Sequence, residues 1–314
     1  MLPCPMPQPL KAVAGMALLL AAISCSADIQ RGAMMRVASI YIAPDTSSAK
    51  LGDVDRGREV VVLETSHEWL KVEANVTEER TITGWILSKG VVQTSTQNGD
   101  RILFGEAVDS EDQASQRHGR RGAAQDAMRL YYRVYDLFPK SPIAGEALYR
   151  AADIRWQIEK ADVTSRPSAH EREAYLREGM NEDFMRQVEK KFPGTKWADL
   201  AAFHLIENKL CGDWQGSSKC PEKEAEIYEK YTNDHPQSPA LAEALYDAAW
   251  RFSALIEIYK TEEQPKKSEQ SKARAIAAAQ KVASQFPQSD WGARAERLLY
   301  LIQQGVPTYG NAQE

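Results

Sequence analysis

Four cysteines, five histidines and no apolar run long enough to cross a bilayer beyond the first 25 residues set the first limits on this 314-residue chain. The histidines stand at 67, 118, 170, 204 and 235 in unlike contexts, and none has the spacing of a zinc ligand set. His204 sits between Phe203 and Leu205 and reads as packing; His235 fills a slot that is Phe in related segments. There is no GxSxG elbow, P-loop or dinucleotide fingerprint. No catalytic residue, metal or cofactor is expected, and the chain is read as non-enzymatic. Excess basic charge is missing too. Lys and Arg number 39 against 44 Asp and Glu, a net charge of −5, which argues against nucleic acid as a partner. At 43% hydrophobic and 26% charged, the composition excludes wholesale disorder and allows two modest domains.

What is present begins at the N-terminus. Lys11 precedes an apolar run from Ala12 to Ser24. Thirteen residues are too few for a bilayer, which needs about 20, but they suit a signal peptide over residues 1–25. Ala22-Ile23-Ser24-Cys25 resembles a bacterial lipobox, with Ala22 where Leu is usual. The resemblance implies a lipid on Cys25. Ordinary cleavage near Ala27 is the alternative. Ser26 and Ala27 are not the inner-membrane retention aspartate, so the expected location is the periplasmic face of the outer membrane, or the periplasm. Cys211 and Cys220 flank a flexible GDWQGSSK loop, and in an oxidising compartment they are expected to pair.

A short polar connector leads to residues 35–93, which read as β. Val37–Ile42, Glu59–Glu64, His67–Val72 and Thr83–Leu87 are short strand-like runs separated by turn clusters. Tyr41-Ile-Ala-Pro-Asp-Thr-Ser-Ser, Gly57 before the Val60–Leu63 run, Glu68-Trp69-Leu-Lys-Val72 and Gly84-Trp85-Ile86 together resemble the bacterial SH3-like family. That resemblance implies a small β-barrel that binds peptidoglycan peptides or protein segments. Trp69 and Trp85 have two readings. They fill the barrel core, or one of them joins Tyr41 in a peptide groove.

From residue 103 to 303 the pattern turns helical. Phe138-Pro-Lys-Ser141, Phe192-Pro-Gly-Thr195, His235-Pro-Gln-Ser238 and Phe286-Pro-Gln-Ser289 recur, with prolines 54, 43 and 51 residues apart. Proline stops one helix, and the hydroxyl two residues later caps the next. Pro142 and Pro239 follow two of these caps, at the favoured first helical position. Eight residues past each repeat proline stands an alanine: Ala147, Ala201, Ala244 and Ala295. The extra length between repeats is placed in the turns Ala161–His170, Cys211–Cys220 and Thr261–Glu269. The segment resembles tetratricopeptide-repeat proteins of the envelope lipoprotein type, which implies an α-solenoid with a partner-binding groove.

The expected fold class is therefore multidomain, β plus all-α: a small SH3-like barrel, then a tetratricopeptide-like solenoid. Residues 304–314 are read as a mobile tail, and the polar connector Thr94–Arg101 as a hinge. Groove candidates are Arg150, Asp153, Asp247 and Trp250, polar or large residues on otherwise apolar helices. Arg117–Arg121 reads as a solvated turn. The expected role is an envelope scaffold that meets a protein partner through its helices and cell wall or peptide through its SH3-like module, with a lipid anchor in the membrane. An outer-membrane assembly factor, or an accessory to a wall-remodelling enzyme, is the alternative.

Overall fold

The computed structural model describes residues 30–77 and 79–310, so Cys25 and the leader lie outside the described residues. Seven antiparallel strands come first: β1 Gln30–Met34, β2 Ala38–Tyr41, β3 Lys50–Val54, β4 Glu59–Ser66, β5 Trp69–Asn75, β6 Thr81–Leu87 and β7 Val91–Gln93. They form one sheet in the order β3-β2-β6-β5-β4-β1-β7. Side chains alternate between its faces, as the pleat requires. Leu70 and Val72 turn one way with Ile86, Val60 and Ile40, all at most 1% exposed. Met34 near one edge and Val54 at the other join the same cluster, so the sheet curls around one core. Each such fully buried aliphatic side chain contributes about 1.5–3 kcal/mol. The sheet starts earlier than residue 35: Gln30–Met34, read as connector, pairs with both β4 and β7.

Nine helices follow among the described residues: α1 Gly99–Ser115, α2 Ala123–Leu137, α3 Ala144–Val163, α4 Asp183–Lys191, α5 Lys196–His204, α6 Lys219–Asp234, α7 Leu241–Thr261, α8 Pro265–Gln285 and α9 Asp290–Gln304. The repeat positions govern how they stop. Phe138, Phe192, His235 and Phe286 each close a helix at nearly one conformation, with φ of −127°, −129°, −127° and −128°. The hydroxyls then divide into two groups. Thr195 and Ser289 accept from the third following N–H, as helix caps do. Ser141 and Ser238 accept instead from Ile143 and Ala240, two residues on. The proline after each therefore precedes the α-helix rather than opening it, and a tight turn intervenes, with Ala144 N to Ser141 O at 3.1 Å. Ala147, Ala201, Ala244 and Ala295 are fully buried, which lets successive helices approach closely.

The packing is serial rather than centred on one core. Separate clusters join α1–α3, α3–α5 and α5–α9 in turn. Of the three expected long turns, Cys211–Cys220 is largely irregular, Ala161–His170 runs from the end of α3 into a 3-10 turn at Pro167–His170, and the third is mostly helix. Pro265 opens α8 only four residues after α7 ends.

The two halves are not joined by a hinge. Ala33 and Val92, on the sheet face opposite Met34, enter a cluster with Leu103, Leu130 and Val134 of α1 and α2. Gly57, at φ +73°, lays its backbone against α2, where a Cβ would come within 2.6 Å of the Arg129 Cβ. Arg31 and Arg133 bridge Glu59 and Asp136, with Arg133 at 3.0 and 2.6 Å. Arg56 reaches Glu106 at 2.8 Å. The polar connector reads as loose in sequence because its apolar neighbours, Val92 and Leu103, lie just outside it.

The described part of the C-terminal tail is also held. Thr308 bonds Ser253 at 2.7 Å, and Tyr309 lies 5.1 Å from the Trp214 ring. The reading of residues 304–314 as mobile is corrected for residues 305–310, because Trp214 supplies an apolar seat that composition does not reveal. Residues 311–314 lie outside the described residues.

Candidate functional site: an outer cleft on the sheet and a pocket among the helices

Register decides between the two readings of the sheet aromatics. Tyr41 pairs with Trp85, Trp85 with Lys71, and Trp69 with Leu87. Paired residues and those two apart share a face, so Tyr41, Trp69, Trp85 and Leu87 all stand opposite Leu70, Val72 and Ile86. Neither tryptophan belongs to the aliphatic core. Trp69 is nevertheless covered, edge-on to Tyr41 at 5.9 Å between centroids. Trp85 is half-buried.

Tyr41 also lines a cleft of about 540 Å³ between the segment 35–41 and the end of β6 with its following turn. Met35, Val37, Ala38 and Leu87 give it apolar walls, and Arg36 and Lys89 stand at its edge. Val37 is 60% exposed and Leu87 37%. Trp69 and Trp85 do not line the cleft; they support the sheet face beside it. Arg36, Val37 and Lys89 were not singled out in the sequence. Val37 lay inside the strand-like run Val37–Ile42, and nothing in the sequence ties Lys89 to Arg36.

The helical candidates separate. Arg150 is an internal clamp, with its guanidinium 3.1 Å from Glu111, 3.1 Å from Glu146 and 2.8 Å from the Tyr131 hydroxyl. Trp250 packs on Trp214 at 5.1 Å. Asp153 accepts from Gln157 and lies 3.4 Å from His204 Nε2. His204 also meets the Tyr149 hydroxyl at 3.2 Å, and its Nδ1 is buried without a partner. Burial holds its pKa below the ordinary histidine value, with Asp153 opposing. Tyr149, Phe203 and Tyr246 lie against Trp197, Tyr231 and Trp291 at 5.4, 5.3 and 5.4 Å, so these repeat aromatics are inter-helix packing.

Asp247 lines a pocket of about 320 Å³, whose walls come from α3, α5, α6, α7 and the segment after α3. Glu243 stands one turn before it on α7, and Glu207, Lys160, Tyr228 and Arg177 complete the polar lining. Burial raises the Glu243 and Asp247 pKa values, the latter against the pull of Arg251. Glu207 is held by Trp156 Nε1 at 3.0 Å and Lys160 at 2.9 Å.

Beneath this pocket the disulfide joins Cys211 and Cys220, with Cα atoms 6.1 Å apart. Its loop is set by Glu224, 1% exposed, which the sequence reading missed. One carboxylate oxygen accepts from the Cys211 N–H at 2.8 Å and Trp214 Nε1 at 3.1 Å; the other takes Arg251 at 2.7 Å. In the turn 117–121, Arg120 pairs with Asp126 while Arg117 and Arg121 are exposed.

Residues 36–92 match the Bacterial SH3 domain family. That segment is the curled sheet without β1 and the last residue of β7, and it includes the whole outer cleft except Met35. A comparison with curated proteins finds no match. Among solved structures, the crystal structure of the de novo designed helical repeat protein DHR64 is similar at 16% identity and a TM-score of 0.20, covering 66% of this chain and 94% of that chain. A TM-score that low carries no argument. The chain thus combines a bacterial SH3 domain with a serial array of helices, and no described helix is long and apolar enough to cross a membrane.

Proposed function

We propose that this chain is a non-enzymatic adaptor of the bacterial cell envelope. The SH3 domain holds cell wall or peptide in its outer cleft, and the helices, of tetratricopeptide type, hold a protein partner. The chain is exported and anchored by a lipid on Cys25. The observation that carries this reading is the sheet face turned away from the core: Tyr41, Val37 and Leu87 leave an apolar cleft open on a domain that already has a complete core of its own. An open apolar cleft beside a finished core is what a binding module presents. The intramolecular disulfide agrees with an oxidising compartment.

Co-sedimentation of the purified protein with peptidoglycan sacculi tests the reading. Wild type is expected to pellet, and Val37→Asp, at an exposed position, to remain in solution with an unchanged melting temperature. Turnover of muropeptides by the purified protein would overturn the non-enzymatic assignment. Metabolic labelling with a fatty acid is expected to mark wild type and not Cys25→Ala. Crosslinking in whole cells separates an adaptor from an outer-membrane assembly factor by the partner it captures.

A further inference from the structure

The cleft on the SH3 domain carries charge of one sign. The protein as a whole is acidic, at −5, and in the β half Arg31, Lys50, Arg56 and Lys71 are each tied to a carboxylate. Arg36 and Lys89 are not. Both are exposed, both line the cleft, and neither has a hydrogen bond or ion pair among the described residues. The lining includes no Asp or Glu. The cleft therefore offers two unneutralised positive groups and several donors beside walls made by Met35, Val37, Tyr41 and Leu87. A ligand that satisfies both features must carry an apolar side chain and a negative charge close together.

We infer that the cleft takes the free carboxylate end of a short peptide, with Arg36 and Lys89 receiving the carboxylate and Val37, Tyr41 and Leu87 receiving the apolar side chain next to it. Guanidinium and ammonium groups form charge-assisted hydrogen bonds to carboxylates, the guanidinium in a two-pronged fit. The size of the site points to a short peptide. At about 540 Å³ it lies within the roughly 300–1,000 Å³ of small-ligand pockets and has room for only a few residues. An internal segment of a folded protein has no carboxylate end to offer. This inference rests on the reading of the SH3 domain as a peptide-binding module and names what that module selects.

The test titrates the full-length, disulfide-bonded protein with acetyl-Leu-Ala-Ala bearing a free carboxylate, and with the same peptide as its amide. The expected result is binding of the acid at least about tenfold tighter than the amide, with NMR shift changes at Val37, Leu87 and Gly90. In Arg36→Gln combined with Lys89→Gln the two peptides should bind equally. Both positions are exposed and unpartnered, so the melting temperature should not move. Equal binding of acid and amide by wild type would overturn the inference and favour an internal protein segment. Discrimination that survives the double substitution, or shifts confined to another surface, would also overturn it. Sacculus binding without acid-over-amide preference would sink this inference and leave the adaptor reading intact. Failure of sacculi and of both peptides would sink both.

Discussion

In the β half, Tyr41, Trp69 and Trp85 stand on the face turned away from the aliphatic core; in the helical half, Tyr149, Phe203 and Tyr246 each lie against an aromatic ring from an adjoining helix. The residue types are the same and their roles differ. This curled sheet closes its core with Val, Ile, Leu, Met34 and Ala74, which leaves its aromatics for the other face. Helices stacked in series have no such surplus. Each must cover its neighbour, and the large rings fill the gap left beside the buried alanines. An aromatic residue in this chain is therefore a guide to a ligand only where a separate core is already complete.

The strongest way to break that comparison is to remove the polar hub of the helical half. Glu224→Ala leaves buried Arg251 with Asp247, 3.3 Å away, as its remaining carboxylate, strips the Cys211 N–H and Trp214 Nε1 of their acceptor, and is expected to cost about 3–5 kcal/mol. Hydrogen exchange should show protection lost in α6 and α7 and kept in β4–β6; equal loss in both would mean the halves share one stability. The border itself comes next. Leu130, 0% exposed in the cluster that joins α1 and α2 to Ala33 and Val92, should lose roughly 2–5 kcal/mol as Leu130→Ala. Denaturant unfolding of that variant is expected to split into two transitions, because the sheet keeps its own core. A single unshifted transition would contradict the shared cluster. Replacing both Cys211 and Cys220 by Ser should cost about 2–3 kcal/mol, read as a melting shift that a reductant reproduces in wild type.

The smallest effect concerns pH. His204 has its pKa depressed by burial, so the unfolded chain takes up a proton on this residue before the folded one does. Stability contributed by the neutral ring is present above the unfolded histidine value, about 6.5, and is lost as pH falls through the lower folded value. His204→Gln should flatten thermal stability over that window.

Legibility in the sequence follows local patterning. Strands β2, β4, β5 and β6 carry β-rich or alternating side chains and were readable. Strands β1 and β3, QRGAM and KLGDV, contain glycine and charge in place of alternation, and β7 has only three residues. They exist because β4 presents an open edge to β1, β1 to β7, and β2 to β3. The helix stops were legible because proline acts locally; whether Ser141 caps a helix or a turn was not, since Pro142 alters the backbone one residue later. Of the sites, Tyr41 and Asp247 were within reach. Arg150 misled because its partner Glu111 lies 39 residues away, on another helix. Arg36 and Lys89 lie on opposite sides of five strands in the chain, and only the fold brings them to one cleft.

Strand β1 has a mechanical consequence. It begins at Gln30, five residues after Cys25, and five residues of extended chain reach at most about 18 Å. A lipid on Cys25 would thus keep this sheet within a lipid headgroup or two of the bilayer surface. Because β1 is also one of the strands through which the sheet grips α1 and α2, any tilt of such a leash would be transmitted to the helical array, leaving the cleft and the array little freedom to move independently.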